Sequence, residues 1–335
     1  MRVLGIESSC DETAAAVVEG GWTVRSNVIA SQAELHAPFG GVVPEIASRR
    51  HVELVTHVIQ EALDQAGMRL DDVEGLAVTN RPGLIGSLLV GVTAAKGLAL
   101  GSDLPLVGVH HIEGHVFSSF LAEGGPQVPA VALIASGGHT ELYYVRDLHD
   151  YFVMGRRRDD AAGEAFDKGA RLLGLGSGGG AALDRLAREG DPEKVPFPKA
   201  RTEPPLDFSF SGVKTALLRF VQEDAGKTPL AEVAAGYQRA IVDALAERAV
   251  LAVQRSGAPR LLVGGGVAAN STLQARLRAE AELHGFEVSF PPPSLCTDNA
   301  AMIAAVGHSL LDRGVRHGLD LETQARAPLT EKVYR

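Results

Sequence analysis

Residues 2–18 read RVLGIESSCDETAAAVV, and this stretch decides the fold class. A short apolar run stops at Glu7, a polar turn follows, and a second apolar run begins at Ala14. Two apolar runs joined by a short turn predict a β-hairpin. The turn is unusually polar, and it has the size of a ligand-binding loop.

A second hairpin of the same kind lies in the middle of the chain. Residues 129–135 form a continuous apolar strand, the turn Ser136-Gly137-Gly138-His139 follows, and residues 140–145 form the returning strand. Helical patterns predict helices near residues 44–67, 87–100, 230–254, 270–283 and 298–311. The repeated hairpin-then-helices pattern predicts an α/β fold with two lobes and a ligand cleft between them.

The length of 335 residues also favours two lobes, because a single hydrophobic core rarely extends so far. We expect an N-terminal lobe of residues 1–126 and a C-terminal lobe of residues 127–297. We expect the helical segment near residues 298–335 to pack back on the N-terminal lobe.

Composition restricts the class of protein. The chain has two cysteines, its start does not resemble a signal peptide, and no run looks long and charge-free enough to span a bilayer. These features predict a cytoplasmic protein with reduced thiols. The net charge of −9 argues against coating nucleic acid by bulk electrostatics. The run Arg156-Arg157-Arg158 is either a local basic surface or an ordinary solvated face.

A histidine pair is the first candidate for chemistry. His111 and His115 are four residues apart at the start of a predicted helix, so they share one face. Two imidazoles at this spacing can bind one divalent metal ion if a third ligand comes from elsewhere. Glu113 stands at the wrong offset for the His-Glu-x-x-His motif of metalloproteases. The alternative is an incidental pair that binds nothing.

Two glycine-rich turns point to a phosphate-bearing ligand. Ser136-Gly137-Gly138-His139 lies between two strands, and Gly264-Gly265-Gly266 joins a strand to a helix. Turns without Cβ atoms present N–H groups to phosphate, and a helix N-terminus adds its dipole. Neither turn is a P-loop or a dinucleotide fingerprint, and ordinary tight turns are the alternative. Together with the polar turn after Glu7, they favour a nucleotide-type ligand.

Acidic residues supply further candidates. Asp167 belongs to an acidic segment, residues 159–168, and could bind ribose hydroxyls. Asp298, at the start of a helix, could be the missing metal ligand. Alternatively, these segments are helix caps and solvated faces, with Thr297 or Asp298 as the cap of the later helix.

The combined motifs resemble the TsaD/Kae/Gcp family of tRNA adenosine threonylcarbamoyltransferases from end to end. In chain order they are GIESSCDET at residues 5–13, GVVPEIASR at 41–49, HIEGH at 111–115, SGGHT at 136–140, the acidic segment 159–168, FSGVKT at 210–215, GGGVAAN at 264–270 and CTDNA at 296–300. The resemblance implies the two-lobed fold of actin, Hsp70 and sugar kinases (ASKHA fold).

The resemblance also implies a reaction. The threonylcarbamoyl group of threonylcarbamoyl-adenylate passes to N6 of adenosine 37 in tRNAs reading ANN codons, which forms t6A and releases AMP. The metal would hold the activated adenylate and stabilise charge on oxygen, and the glycine turns would hold the departing phosphate.

Individual roles follow from the resemblance. His111, His115 and Asp298 match the metal ligands, with one Fe2+ expected per subunit and Zn2+ as the alternative. The substrate-binding positions are matched by Ile134, Ala135, Ser136, Gly137, Gly138, Asp167, Gly180, Asp184 and Asn270. Asp11 and Glu12 match the catalytic turn, where a carboxylate could take the proton from N6.

The chain departs from the family pattern at residues 176–181. The sequence GSGGGA stands where the family has a Tyr-Pro-Gly-Gly-Pro-like segment. Loss of both prolines and of the aromatic residue predicts a more flexible loop. The positions of Gly180 and Asp184 depend on the alignment across this loop.

The resemblance implies partners as well: tRNA, a smaller inactive paralogue of the same fold (TsaB-like) and a small P-loop ATPase (TsaE-like). No membrane partner is expected. Three other functions compete with this one. A metalloprotease lacks its acid motif here, a sugar kinase or ATP-driven chaperone leaves the histidine pair unexplained, and the intact metal set argues against a non-catalytic scaffold.

Overall fold

The computed structural model describes residues 1–176 and 179–334. The described chain divides into two compact units. The first unit combines Met1–Gln127 with Thr297–Leu329, and the second combines Val128–Cys296 with the residues from Thr330 onward. The predicted polar turn and histidine pair therefore belong to the first unit, and both glycine turns belong to the second.

Both units are built from strands and helices. The strands are β1 (Arg2–Glu7), β2 (Glu12–Glu19), β3 (Thr23–Ser31), β4 (Gly75–Arg81), β5 (Leu106–His110), β6 (Ala130–Ala135), β7 (Thr140–Asp147), β8 (Asp150–Arg156), β9 (Arg260–Gly264) and β10 (Glu287–Ser289). The helices are α1 (Ala33–His36), α2 (Pro44–Ala66), α3 (Ile85–Ser102), α4 (His111–Glu123), α5 (Ala162–Leu172), α6 (Gly179–Ala187), α7 (Ser211–Asp224), α8 (Leu230–Ser256), α9 (Ser271–His284), α10 (Pro293–Cys296) and α11 (Ala300–Asp312).

The first unit has a five-stranded sheet of order β3-β2-β1-β4-β5. The strands β1 and β2 form the predicted antiparallel hairpin, with Gly5 opposite Ala16. The strand β4 runs parallel to β1, and β5 runs parallel to β4. Because parallel strands end at the same edge of a sheet, Glu7 and His110 emerge at one edge, where α/β proteins commonly bind ligands.

The second unit repeats this arrangement in a sheet of order β10-β9-β6-β7-β8. The strands β6 and β7 form the other predicted antiparallel hairpin, and β9 runs parallel to β6. The carboxyl ends of β6 and β9 lead into Ser136 and Gly265, so the two glycine turns meet at one sheet edge. The duplicated α/β pattern predicted from the hairpins is confirmed.

The sequence also predicts strands near residues 75–79 and 106–109, which are β4 and β5, whereas β3, β8 and the short β10 of the described chain escaped prediction. The strands β3 and β10 lie at sheet edges and are mostly exposed or half-buried, so their sequences lack a long apolar run. The edge strand β8 has an apolar run, residues 151–154, but this run is only four residues long. The predicted helices, in contrast, begin and end within two residues of the observed ones.

The helix α11 lies directly against β1 in the first unit. A Cβ atom at Gly5 would meet the carbonyl oxygen of Ala300 at 2.4 Å and the amide of Ala304 at 2.7 Å, so only glycine allows this approach. The predicted cap of this helix was wrong. Asn299 caps it by accepting a hydrogen bond from Met302, which leaves the carboxylate of Asp298 available.

The helix α3 corrects our expectation that no run could span a bilayer. By length and composition it is apolar enough to cross a membrane. Its side chains Leu88, Val92 and Ala95 are buried, and the helix packs against α2 and β4. One face of the helix therefore packs within the first unit, whereas Ile85, Leu89 and Leu100 are exposed.

Candidate functional site

The histidine pair lies at the carboxyl edge of the first sheet. The strand β5 ends at His110, whose side chain accepts a hydrogen bond from Ile112 and caps α4. His111 and His115 then lie one turn apart on α4, with ring centroids 4.7 Å from each other, and both are buried. The predicted shared helix face is present. The other ring nitrogen of His110 lies 3.1 Å from the carbonyl oxygen of Ala327, so this ring is engaged outside the pair.

Asp298 completes the cluster just before α11. Its Oδ1 atom lies 3.4 Å from Nε2 of His111 and 3.3 Å from Nε2 of His115. The possible ligand atoms of the three residues all lie within 4.8 Å of one another, as a metal site requires. Neither ring nitrogen of the fully buried His115 has a hydrogen-bond partner within the described residues. An ion bound by Nε2 would satisfy one of these atoms, so the residues fit a divalent cation.

The charges of the cluster are strongly coupled. Burial alone would lower the pKa of His111, but the carboxylates of Asp298 and Glu7 outweigh it and raise that pKa well above its usual range. Burial opposes ionisation of Asp298, yet the two histidines hold its pKa well below its usual range. Burial lowers the pKa of His115, so its imidazole is neutral and able to bind a cation.

The polar turn between β1 and β2 adjoins this cluster. Glu12 is the first residue of β2 and accepts a hydrogen bond from Ser31. Burial raises the pKa of Glu12 to about 9, and the nearby charges of Asp298 and Asp11 act in the same direction. Glu12 therefore holds its proton more tightly than an exposed carboxyl group does, and it hydrogen-bonds Asp11. The structure thus places the two predicted catalytic carboxyl groups next to each other, with that of Glu12 near Asp298.

A fully buried histidine holds this turn in place. The Nε2 atom of His51 lies 2.9 Å from the carbonyl oxygen of Cys10, and its Nδ1 atom lies 2.8 Å from Oγ1 of Thr13. Burial lowers the pKa of His51, so the ring is neutral, with Nε2–H donating and Nδ1 accepting. His51 escaped prediction from the sequence because the helix α2 that carries it begins 31 residues after Thr13.

The second unit contains a pocket of about 490 Å³, a size typical of small-molecule sites. Five predicted substrate-binding residues line it: Gly137, Asp167, Gly180, Asp184 and Asn270. The side chains of Ile134 and Ala135 are fully buried in β6, and Ser136 and Gly138 belong to the adjoining turn. The pocket wall also includes Gly163, Phe166, Ala181, Arg185, Arg188, Gly266, Val267 and Ala269, which were not among the predicted site residues.

Close backbone packing shapes the glycine-turn side of the pocket. A Cβ atom at Gly163 would meet the carbonyl oxygen of Ser136 at 2.6 Å and the amide of Gly137 at 2.7 Å. Gly265 has φ +88°, and a Cβ atom there would meet the carbonyl oxygen of Ala135 at 2.4 Å. A side chain at Gly163 would push α5 away from the first turn, and one at Gly265 would push the second turn away from β6, so glycine is needed at both positions.

Polar side chains complete the pocket wall. The amide of Gly180 donates to Oδ1 of Asp167 at 3.1 Å. Asn270 caps α9 by accepting from Leu273 and donates to Gln238. Of the variant segment 176–181, Ser177 and Gly178 lie outside the described residues. Gly180 and Asp184 both line the pocket.

A sequence profile described as TsaD: tRNA N6-adenosine threonylcarbamoyltransferase matches residues 23–305. The chain belongs to this family. The relative from Symbiobacterium thermophilum, named tRNA N6-adenosine threonylcarbamoyltransferase, is 55% identical, with 95% of this chain and 94% of the relative covered. The relative of the same name from Syntrophus aciditrophicus is 53% identical, with 98% of each chain covered. Membership favours a transferase of tRNA t6A processing over the protease, kinase and scaffold alternatives.

Solved structures confirm the ASKHA fold. HypF of T. kodakarensis matches with a TM-score of 0.62 at 15% identity, covering 93% of this chain and 47% of that one. Component A of (R)-2-hydroxyglutaryl-CoA dehydratase from Acidaminococcus fermentans matches with a TM-score of 0.58 at 15% identity. The match covers 92% of this chain and 98% of that one. At this level of identity the likeness concerns the fold alone.

Proposed function

We propose that this chain transfers the threonylcarbamoyl group from threonylcarbamoyl-adenylate to N6 of adenosine 37 in tRNAs reading ANN codons, forming t6A and releasing AMP. The pocket of the second unit is the observation that carries the choice of donor. It combines glycine-turn backbone with the carboxylates of Asp167 and Asp184, and its volume of about 490 Å³ suits an adenylate.

Each group of the adenylate has a candidate partner in this pocket. Carboxylates accept hydrogen bonds from ribose hydroxyls, which suits Asp167 and Asp184. Phosphate is bound by backbone N–H groups of turns without Cβ atoms, which suits Gly137 and Gly266. Arg185 on α6 and Arg188, just beyond its end, add positive charge at the wall.

The proposed step is an acyl transfer. The N6 amine forms a bond to the carbamoyl carbon, and the bond from that carbon to the phosphate oxygen breaks, so AMP leaves with the electron pair. N6 loses one proton. The lone pair of N6 is delocalised into the adenine ring, so a base that removes this proton assists the step. We assign this task to Asp11, with Glu12 as its hydrogen-bonded neighbour.

His111, His115 and Asp298 would hold a divalent cation in the first unit. Two imidazole nitrogens and one carboxylate oxygen suit Fe2+, our first choice, and also Zn2+. When bound, the ion would supply positive charge that polarises a substrate oxygen. The protein's own contribution is to keep His115 neutral and Asp298 ionised, so that both can bind the ion.

We also propose that the chain works in the cytoplasm with two partners, a smaller inactive paralogue and a small P-loop ATPase. The net charge of −9 supports this, because tRNA binding by an acidic chain benefits from basic surface supplied by others. We expect the affinity for tRNA to rise when the partners are added. Equal affinity with and without them, measured at one salt concentration, would contradict this proposal.

The transfer proposal is tested with purified protein, the partner proteins, an enzyme that makes threonylcarbamoyl-adenylate from threonine, bicarbonate and ATP, and a tRNA that reads an ANN codon. Mass spectrometry should find t6A at position 37, with AMP formed in equal amount. A tRNA carrying guanosine at position 37 and a tRNA that reads no ANN codon are the controls. Absence of t6A when threonylcarbamoyl-adenylate is present in the assay would refute the proposal, and release of peptides from a protein substrate would favour a protease.

A further inference from the structure

Glu7 is a buried carboxylate with three hydrogen-bond donors around it. It ends β1 and is fully buried. Its Oε2 atom lies 2.6 Å from Oγ1 of Thr79 and 2.9 Å from Nδ1 of His111. Its Oε1 atom accepts from the backbone amide of Ser9. The three donors come from β4, from α4 and from the polar turn, so one carboxylate joins three parts of the first unit.

The contact with His111 determines which ring nitrogen is free. A carboxylate only accepts hydrogen bonds, so Nδ1 of His111 carries the proton. The lone pair of the neutral ring then resides on Nε2, which faces Asp298 at 3.4 Å. Rotating the ring by half a turn would place a C–H group against Glu7 and leave a buried carboxylate oxygen without this donor.

His115 has no counterpart of the contact between His111 and Glu7 within the described residues. The Nδ1 atom of His115 has no hydrogen-bond partner within residues 1–176 and 179–334, although the side chain is fully buried. Within that part of the chain, no carboxylate therefore orients His115 as Glu7 orients His111. Histidines that bind metal ions usually donate their second N–H to such a partner, which fixes the tautomer and the ring orientation.

We propose that Glu7 is a positioning residue of the metal centre, whose carboxylate fixes the tautomer and ring angle of His111 so that Nε2 faces the ion. This inference rests on the proposed metal site at His111, His115 and Asp298. Through the amide of Ser9, the same carboxylate also fixes the start of the turn that carries Asp11 and Glu12.

The substitution Glu7→Gln tests this role, because it keeps the size of the side chain and removes the charged acceptor. Affinities for Zn2+ and Co2+ are measured on the metal-free protein by competition with a chromophoric chelator. We expect the affinity to fall about 10- to 100-fold, with a changed visible spectrum of bound Co2+. The exposed Glu61 of α2 gives the control, Glu61→Gln, which should match the wild type.

A second variant separates positioning from folding. Thr79→Val removes one donor to Oε2 and leaves Glu7 in place, so it should lower the metal affinity by a smaller factor. Thermal unfolding of each metal-free variant shows whether the variant is folded. If Glu7→Gln does not fold, the metal affinity of Thr79→Val is the test. An unchanged metal affinity in Thr79→Val would then overturn the inference. Unchanged affinity in a folded Glu7→Gln overturns it as well.

The metal site and the role of Glu7 can be disproved separately. A wild-type protein that binds neither metal would overturn the metal site and the role of Glu7 together. A wild-type protein that binds metal while Glu7→Gln binds equally well would overturn the role of Glu7 alone. These measurements use no tRNA or adenylate, so they are independent of the transfer assay.

Discussion

The hydroxyl group of Ser271 lies 3.1 Å and 3.0 Å from the two carboxylate oxygens of Asp184. Ser271 is the first residue of α9, and Asp184 lies on α6 with its side chain almost fully buried. Arg188, just beyond the end of α6, donates to the same carboxylate. Asp184 is therefore held in one orientation at the pocket wall before any ligand binds.

The first prediction concerns this carboxylate. Asp184→Asn should lower the affinity for AMP and for the adenylate about 10- to 100-fold, because a hydrogen bond to a charged acceptor is lost. Calorimetric titration with AMP measures the effect. Asp147→Asn, at an exposed site of the same unit, is the matched control and should bind like the wild type. AMP affinity unchanged in Asp184→Asn would remove Asp184 from the proposed ribose site.

The second prediction concerns the metal cluster. His115→Ala removes one of three ligands and should weaken binding of Fe2+ or Zn2+ by about 100-fold or more. Metal content after dialysis, measured by plasma mass spectrometry, checks this. His57→Ala changes an exposed histidine of α2 and should retain the wild-type metal content. Full metal occupancy in His115→Ala would place the ion elsewhere.

The third prediction separates proton transfer from binding. Asp11→Ala should slow single-turnover transfer by about 100- to 10,000-fold, the range expected for loss of a general base. Adenylate affinity should stay within about twofold, because the pocket that we assign to the adenylate lies among residues of the second unit. Rapid-quench assays give the rate, and titration gives the affinity. Weaker adenylate binding in this variant would refute the assigned role.

The fourth prediction concerns pH and His51. Burial holds the pKa of His51 below its usual 6.5, so the unfolded chain takes up this proton first as the pH falls. Stability is therefore fully present above about pH 6.5 and declines below it until the folded-state pKa is reached. The metal-free wild type should lose more stability between pH 7.5 and 5.5 than His51→Gln, by up to about 1.4 kcal/mol per pH unit.

Thermal unfolding followed by circular dichroism across this pH range measures the difference. A chelator keeps the protein metal-free, so metal affinity does not contribute to the slope. His57→Gln, at an exposed position of the same helix, should follow the wild-type pH dependence. If stability changed with pH equally in the wild type and in His51→Gln, folding would not lower the pKa of His51.

Much of the fold could be predicted because its signals are local. Within a few residues the sequence changes from an apolar run ending before Glu7 to a polar turn, and then to a second apolar run starting at Ala14. This local change of polarity predicts a hairpin. The spacing of His111 and His115 places both on one helix face wherever the helix lies. The edge strand β3 escaped prediction because only one of its nine residues is buried, which leaves no long apolar run to detect.

The sequence by itself determined the duplicated hairpins, the histidine pair and, through its motifs, the family. The tertiary structure alone decided which distant groups meet. Glu7 looked like the first residue of an open turn, yet it is buried against a histidine 104 residues away. Asn299, and not Asp298, caps α11, which leaves Asp298 facing the histidines. Such pairings depend on how strands and helices pack, and no local pattern along the chain records that packing.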